Sequence, residues 1–121
     1  NDEVAAGYLA RLSAGDVLTK TRQALLESLP SGAPTKAGIA KRLGTSPRSL
    51  QRLLAAEGTS FTELLAEARL TLAKNYLDEG RLPVTEIAFV LGFADTSAFS
   101  RAFRRWTGVA PSDWARRRRG G

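Results

Sequence analysis

A short pattern occurs twice in the sequence, 48 residues apart. Residues 39–58, "IAKRLGTSPRSLQRLLAAEG", contain an Ile-Ala pair and then a Leu-Gly pair that ends at Gly44. The same two pairs return in residues 87–108, "IAFVLGFADTSAFSRAFRRWTG", where the second pair ends at Gly92. Glycine commonly follows the end of a helix, so each copy is typical of a short helix followed by a turn and a second helix. The repeat predicts two helix-turn-helix units in one chain.

The start of the second helix is also marked in each copy. Ser46 precedes Pro47, and proline is favoured at the first position of a helix. Asp95 occupies the corresponding place in the second copy, after one extra turn residue. Serine and aspartate side chains accept hydrogen bonds from the first free backbone amides of a helix. We therefore predict that Ser46 and Asp95 are the N-caps of two equivalent helices.

The rest of the chain has the apolar spacing of helices, and no long segment alternates apolar and polar residues. The pattern predicts a helix capped by Asp16 and ended by Pro30, a short helix capped by Thr35, and a last helix from Pro111. It also predicts a helix over residues 61–79, capped by Ser60 and followed by Gly80, which would be about 28 Å long. The predicted apolar stripe of this helix is Phe61, Leu64, Leu65, Ala68, Leu72, Tyr76 and Leu77. We therefore predict an all-α fold of about seven helices, with two helix-turn-helix subdomains joined by a long linker helix.

These elements give the predicted domain boundaries. The first subdomain comprises residues 15–60, the linker helix residues 61–80, and the second subdomain, with a basic C-terminal tail, residues 81–121. Residues 1–14 have only a weak apolar stripe, and we interpret them as a linker or the remnant of an upstream domain. The chain begins with Asn1 rather than Met, so we expect a further part of the protein to be missing.

Composition excludes most enzyme classes. The sequence has no Cys and no His, so thiolate nucleophiles, imidazole bases and the usual zinc ligands are absent. Its 12 carboxylates are scattered, and there is no phosphate-binding loop. We therefore predict no enzymatic activity, no catalytic residue, no cofactor and no metal. No segment is typical of a membrane span or a secretory signal, which predicts a cytoplasmic protein with no membrane partner.

The net charge of +6 is concentrated near the C-terminus. Residues 92–121 contain seven basic and two acidic side chains, and four of the basic ones form the run 116–119. Such an excess favours a polyanionic partner, namely nucleic acid, an anionic membrane surface or an acidic protein. For the run 116–119 alone, a solvated basic tail is an equally good interpretation.

A helical wheel separates the apolar and polar residues of the two repeated helices. The apolar side contains Leu50, Leu53, Leu54, Phe99, Ala102, Phe103 and Trp106. The opposite side contains Arg48, Gln51, Arg52, Ser97, Ser100, Arg101 and Arg104. Arg, Gln and Ser contact base edges and phosphates in the major groove. One such helix is commonly a solvated surface, but its occurrence in two helix-turn-helix units favours DNA. We assign the aromatic residues, with Trp114, to the core.

With these features the sequence resembles the DNA-binding domain of the AraC/XylS transcription regulators. The similar segments are "IAKRLGTSPRSLQRLLAAEGTSF", "RLTLAKNYL" and "VTEIAFVLGFADTSAFSRAFRRWTGVAPSDW". The resemblance implies a seven-helix domain of a bacterial regulator that binds double-stranded DNA. The base-contacting positions of the family fall on Ser46, Arg48, Gln51 and Arg52, and on Thr96, Ser97, Ser100 and Arg101. Arg104 and Arg105 complete the basic surface of the second unit.

The resemblance also implies partners and a mode of binding. RNA polymerase is one expected partner, and an effector-binding or dimerisation domain, absent from this chain, is another. A rigid linker helix would hold the recognition helices roughly 30 Å apart, near the ~34 Å repeat of successive major grooves. The sequence departs from the family at Ala98, where an aromatic residue is frequent, and at Trp114, where tyrosine is usual. The alternative functions are a basic helical protein-interaction module and a non-specific nucleic-acid binder.

Overall fold

The computed structural model describes residues 14–32 and 34–120. In this part of the chain there are seven α-helices, one 3-10 turn at Leu29–Ser31 and no strand, so the all-α prediction is confirmed. The prediction for residues 1–14 lies outside the described residues, apart from Ala14. In chain order the helices are α1 (Ala14–Ser28), α2 (Lys36–Arg42), α3 (Pro47–Ala56), α4 (Phe61–Glu79), α5 (Val84–Val90), α6 (Thr96–Thr107) and α7 (Pro111–Gly120).

The described residues divide into two compact units. The first contains residues up to Ser28 together with Pro34–Ala68, and within it α1, α2 and α3 pack against one another. The second contains residues 29–32 and 69–120, and within it α6 packs against α5 and α7. The helix α4 belongs partly to each unit, because its residues up to Ala68 lie in the first and the rest in the second.

Side-chain caps determine where four of the helices begin. At the start of α4, the backbone amide of Glu63 donates to Ser60 Oγ at 3.2 Å. The backbone amide of Gly38 donates to Thr35 Oγ1 at 3.0 Å, and the amide of Ser49 donates to Ser46 Oγ at 3.1 Å. The amide of Ala98 donates to Asp95 Oδ1 at 2.7 Å. Each bond satisfies a donor that the helix itself leaves without a partner. The N-caps predicted at Thr35, Ser46, Ser60 and Asp95 are confirmed.

The first helix and the last differ from the sequence predictions. Because α1 begins at Ala14, Asp16 lies in its first turn and is not the N-cap. A carboxylate in that turn still interacts favourably with the positive end of the helix dipole. The helix α1 ends at Ser28, and Pro30 lies in the following 3-10 turn. Residues 116–119, interpreted above as a basic tail, belong to α7.

The first unit has an aliphatic core. Leu50 and Leu54 are fully buried on one side of α3, and Ile39 and Ala40 are buried on α2. Gly44 follows α2 with φ +78°, a left-handed backbone conformation that residues with a Cβ rarely adopt. Apart from Gly44 and its two chain neighbours, no described residue has an atom within 4 Å of the place where its Cβ would be, so backbone conformation, not space, requires glycine here. The other buried apolar residues are Val17, Ala24, Leu25, Leu64 and Ala68.

The second unit has an aromatic core around α6. Phe99 and Phe103 are fully buried, with ring centroids 5.9 Å apart. Trp114 of α7 packs edge-on against Phe103 at 5.8 Å, and its indole N–H donates to Asp78 at 3.3 Å. Since the indole has a hydrogen-bond partner, tryptophan fits this half-buried position. The core is completed by Ala73, Leu77, Ile87, Ala88, Leu91 and Ala115. None of the described helices is both long and apolar enough to span a bilayer.

Candidate nucleic-acid interface

In the first unit, α3 carries the predicted contact residues on its exposed side. Arg48, Gln51 and Arg52 are exposed, opposite the buried Leu50 and Leu54. The α-helical period of 3.6 residues produces this separation, because it places Arg48, Gln51 and Arg52 on the side of the helix away from the two leucines. A planar guanidinium and an amide on one helix face can donate hydrogen bonds to base edges in a major groove.

Two neighbours restrict these side chains. Lys36, at the start of α2, donates from Nζ to Gln51 Oε1 at 3.0 Å. Arg52 donates from Nη2 to Ser49 Oγ at 3.3 Å, on the same helix. Ser46 is half-buried, and its oxygen already accepts the cap bond from Ser49. The first unit therefore presents its polar side chains mainly as hydrogen-bond donors.

In the second unit, α6 has more arginines than α3, and its other polar side chains are short hydroxyl groups. Arg101, Arg104 and Arg105 are exposed, as is Ser97, whereas Thr96 and Ser100 are half-buried. On the other side of the helix, Phe99, Ala102 and Phe103 are buried. Trp106, which was assigned to the core, is half-buried, with its ring 6.3 Å from that of Phe93.

Four arginines outside α3 and α6 form ion pairs with carboxylates. Arg22 pairs with Glu67 and Arg118 with Asp78, at 2.6 and 3.3 Å. Further ion pairs join Arg42 to Glu27 and Arg116 to Asp113. Throughout residues 14–32 and 34–120, by contrast, no carboxylate pairs with an arginine of α3 or α6. The arginines of α3 and α6 that lack such a partner are Arg48, Arg52, Arg101, Arg104 and Arg105.

The position of Arg104 and Arg105 has a structural explanation as well. Both lie in the last turn of α6, where cations interact favourably with the negative end of the helix dipole. Arg101 and Arg48 do not lie in a last turn, so this explanation does not apply to them. It does not apply to Arg52 either, because Arg52 lies before the last turn of α3.

Comparison with known sequences gives the family. The profile of a helix-turn-helix domain matches residues 39–117, which include both repeated units. The chain belongs to the AraC/XylS family. It is 46% identical over 98 residues to the ornithine utilization regulator of Pseudomonas aeruginosa, covering 81% of this chain and 29% of that protein. The chain thus spans under a third of the length of this relative.

Solved structures of AraC-type domains have the same fold. The DNA-binding transcriptional dual regulator of Escherichia coli K-12 superimposes with a TM-score of 0.81 at 26% identity, covering 87% of this chain and 94% of that one. The transcriptional regulator CdpR of Pseudomonas aeruginosa superimposes with a TM-score of 0.69 at 42% identity, covering 79% of this chain and 31% of that one. Sequence-specific DNA binding within a transcription regulator is the function that these matches assign to the domain.

The two departures from the AraC/XylS pattern are accommodated locally. Ala98 is half-buried, and its backbone amide donates to the cap Asp95. A cap bond to the backbone does not depend on the side chain at that position, so α6 begins normally. The replacement at Trp114 keeps the aromatic packing against Phe103.

Two residues near the predicted contact residues were not identified from the sequence. Lys36 is 15 residues from its partner Gln51, and no local pattern links them. Arg69, on α4, donates to the backbone of the turn between α5 and α6. Arg69 lies in the family segment "RLTLAKNYL", so the resemblance marks its position without indicating its contacts.

Proposed function

We propose that this domain binds a two-part site on double-stranded DNA, with α3 and α6 in successive major grooves. The observation that carries the proposal is that both repeated helices expose arginines, five in all, on the side opposite their buried apolar residues. None of the five has a carboxylate partner among the described residues. An exposed cation without a partner is well suited to bind phosphate or guanine. The matching caps and buried residues of α3 and α6 support equivalent roles for the two helices.

The proposed contacts differ between the helices. Arg48, Gln51 and Arg52 would contact bases and phosphates from α3, with Ser46 at its N-terminus. On α6, Arg101 would make the main base contact, because Thr96, Ser97 and Ser100 are too short to reach far into the groove. Arg104 and Arg105 would contact phosphates. Phosphate contacts orient a protein on DNA, whereas base contacts determine sequence.

Selection of binding sites from randomised duplexes, at about 150 mM salt, tests the proposal directly. We expect enrichment of two short motifs whose centres are about one helical turn apart. Arg52→Ala and Arg101→Ala should each lose about 1 to 3 kcal/mol of discrimination at particular base pairs, in different motifs.

Arg117→Ala is the matched control for lost charge, because Arg117 is exposed on α7 and pairs with no carboxylate in the described part of the chain. It should weaken binding to all sequences alike, if at all, and reduce the salt dependence. Equal losses on selected and random DNA for all three variants would favour the non-specific binder instead. Enrichment of no motif, with tight binding to an acidic protein, would favour the interaction module.

We further infer the setting in which the domain acts. Because the chain spans under a third of its relative, we propose that an effector-binding or dimerisation domain completes the regulator. RNA polymerase is the proposed partner at the promoter, from family membership. The proposed role is regulatory and not enzymatic, and its site is the cytoplasm, where bacterial DNA lies. Co-purification of RNA polymerase with the regulator on promoter DNA tests the second partner.

A further inference from the structure

A single guanidinium in the second unit contacts the backbone of the turn that precedes α6. Arg69 of α4 donates from Nε to the carbonyl oxygen of Leu91 at 3.0 Å, and from Nη2 to that of Gly92 at 3.5 Å. Carbonyl groups at the end of a helix have no partner within the helix, and α5 ends just before Leu91. The side chain of Arg69 therefore supplies hydrogen bonds that the turn lacks.

The same guanidinium lies over an aromatic ring that supports α6. The Arg69 Cζ atom is 4.7 Å from the ring centroid of Phe93, within the range of a cation–π interaction. The Phe93 ring centroid is 5.4 Å from that of Phe99 and 6.3 Å from that of Trp106. Arg69 thus contacts both the backbone of the turn and the ring against which α6 packs.

Burial makes these contacts specific. Arg69 is half-buried, and burial lowers the pKa of its guanidinium from the ordinary value. An arginine nonetheless stays charged in proteins, so the cation must be stabilised where it lies. The two carbonyl oxygens and the face of the Phe93 ring provide that stabilisation. A lysine has no planar group that could donate to both carbonyls and also stack on the ring.

The first unit has no equivalent of these contacts. At the offset of 48 residues, Thr21 corresponds to Arg69 and Thr45 corresponds to Phe93. Thr21 is buried and donates to the carbonyl oxygen of Val17, on its own helix, at 2.7 Å. The Thr45 hydroxyl is buried, with no hydrogen-bond partner in the part of the chain that the structure describes. The Arg69 contacts are therefore a specialisation of the second unit.

We propose that Arg69 is a positioning residue for sequence recognition by α6. Its contacts fix the angle at which α6 leaves the turn, and hence the place that Arg101 reaches on the DNA. This inference rests on the proposed function. It predicts that loss of Arg69 reduces base discrimination in the motif bound by α6, while the motif bound by α3 keeps its discrimination.

The test uses the whole chain and three variants. Arg69→Met keeps an unbranched, flexible side chain, shorter than that of arginine, and removes its charge and donors. Arg69→Lys restores only the charge. Arg81→Met is the control, because Arg81 is an exposed cation of the same unit, outside the helices. Affinities are measured for duplexes that carry single base-pair changes in either motif, and circular dichroism reports the helical content.

In the wild type, a wrong base pair should weaken binding about tenfold in either motif. For Arg69→Met we expect the penalty in the α6 motif to fall below about threefold and the penalty in the α3 motif to stay about tenfold. Arg69→Lys should give an intermediate penalty, and Arg81→Met should behave as wild type. Folded Arg69→Met with both penalties unchanged, or reduced alike, would overturn the inference.

Two further measurements decide the remaining cases. If Arg69→Met loses its helical content, Phe93→Leu keeps an apolar side chain and removes the ring, and it should show the same loss confined to the α6 motif. Unchanged penalties in Phe93→Leu would then overturn the inference.

If wild type enriches no motif, the proposed function fails. Hydrogen exchange of the Phe93 and Ala98 amides then tests the contacts alone: faster exchange in Arg69→Met supports them, and unchanged exchange contradicts them.

Discussion

We propose two roles for the side chain of Ser46. Its oxygen accepts a hydrogen bond from the backbone amide of Ser49 and so caps α3. Its hydroxyl proton would be donated to an acceptor on DNA. The roles are separable by substitution. Ser46→Ala should lower the free energy of unfolding by about 1 kcal/mol, because the cap bond is lost. Ser46→Asp should keep the cap and the stability, but lower DNA affinity by placing a negative charge near a phosphate.

Thermal unfolding and DNA titration of the two variants check this prediction. Thr35→Ala is the matched control, since it removes the cap of α2 and none of the proposed DNA contacts. Equal DNA affinity of Ser46→Asp and wild type would contradict a position for Ser46 close to the DNA backbone.

We infer that Lys36 alters the base preference of Gln51. A glutamine that binds adenine through two hydrogen bonds donates from Nε2 and accepts at Oε1. In this chain Oε1 already accepts from the Lys36 ammonium, so the pair presents donors. Guanine offers two acceptors in the major groove, so we expect guanine at the base pair that Gln51 contacts. Lys36→Met should shift that preference toward adenine.

Site selection with the variant measures this shift. Lys41→Met is the control, because Lys41 is exposed on the same helix and makes no hydrogen bond to Gln51. Identical motifs from wild type and Lys36→Met would show that the ammonium does not determine the preference of Gln51.

The roles that could be predicted from the sequence are those that depend on residues close together in the chain. Ser46 and Asp95 were recognised as caps because a cap involves amides only three residues away. Two other contacts join residues that the turn geometry brings together. They are Lys36 with Gln51, and Arg69 with Leu91. Neither contact has a periodic pattern that a single sequence could reveal.

Among the elements, α2 is held to α1 by one polar cluster. Arg42 of α2 pairs with Glu27 and donates to Ser28 Oγ at 3.1 Å. The pKa of Glu27 is lowered from its ordinary value, first by the hydrogen bond from Gln23 and then by that from Arg42. A carboxylate with a lowered pKa stabilises the fold above its unfolded-state pKa, and the contribution is lost as pH falls through the folded-state pKa.

Glu27→Gln should therefore be less stable than wild type at pH 7, and the difference should shrink below about pH 4. Since Glu27 is exposed, the effect should be small and should decrease with added salt. Urea unfolding at several pH values measures it. Glu86→Gln removes the same charge from an exposed position of α5 as a control. A difference from wild type that grows on acidification would contradict the assignment.

The sequence predicted the ends of α4 but only part of its buried surface. The helix extends over Phe61–Glu79, as the stripe and the flanking residues indicated. Leu64, Ala68 and Leu77 are buried as expected, but so is Ala73, which lay outside the predicted stripe. A helix that contributes to two cores does not need one continuous apolar face, and alanine contributes little to an apolar pattern.

For the whole molecule, a rigid linker helix, as predicted from the sequence, would make the domain prefer one spacing of the two DNA motifs. Proline in the interior of a helix removes a backbone hydrogen bond and clashes with the preceding turn, at a cost of about 3 kcal/mol or more. Thr71 is exposed near the middle of α4, so Thr71→Pro interrupts the helix without removing a core side chain. Thr71→Ala is the control for the lost hydroxyl group.

The expected result concerns spacing and not the individual motifs. For wild type and Thr71→Ala, inserting about five base pairs between the motifs should weaken binding at least about tenfold, because half a turn moves one groove to the opposite face of the DNA. Thr71→Pro should bind the original and the lengthened site about equally, while base substitutions within each motif still weaken its binding. If Thr71→Pro kept the wild-type preference for one spacing, a continuous α4 would not be what sets the distance between the two contacts.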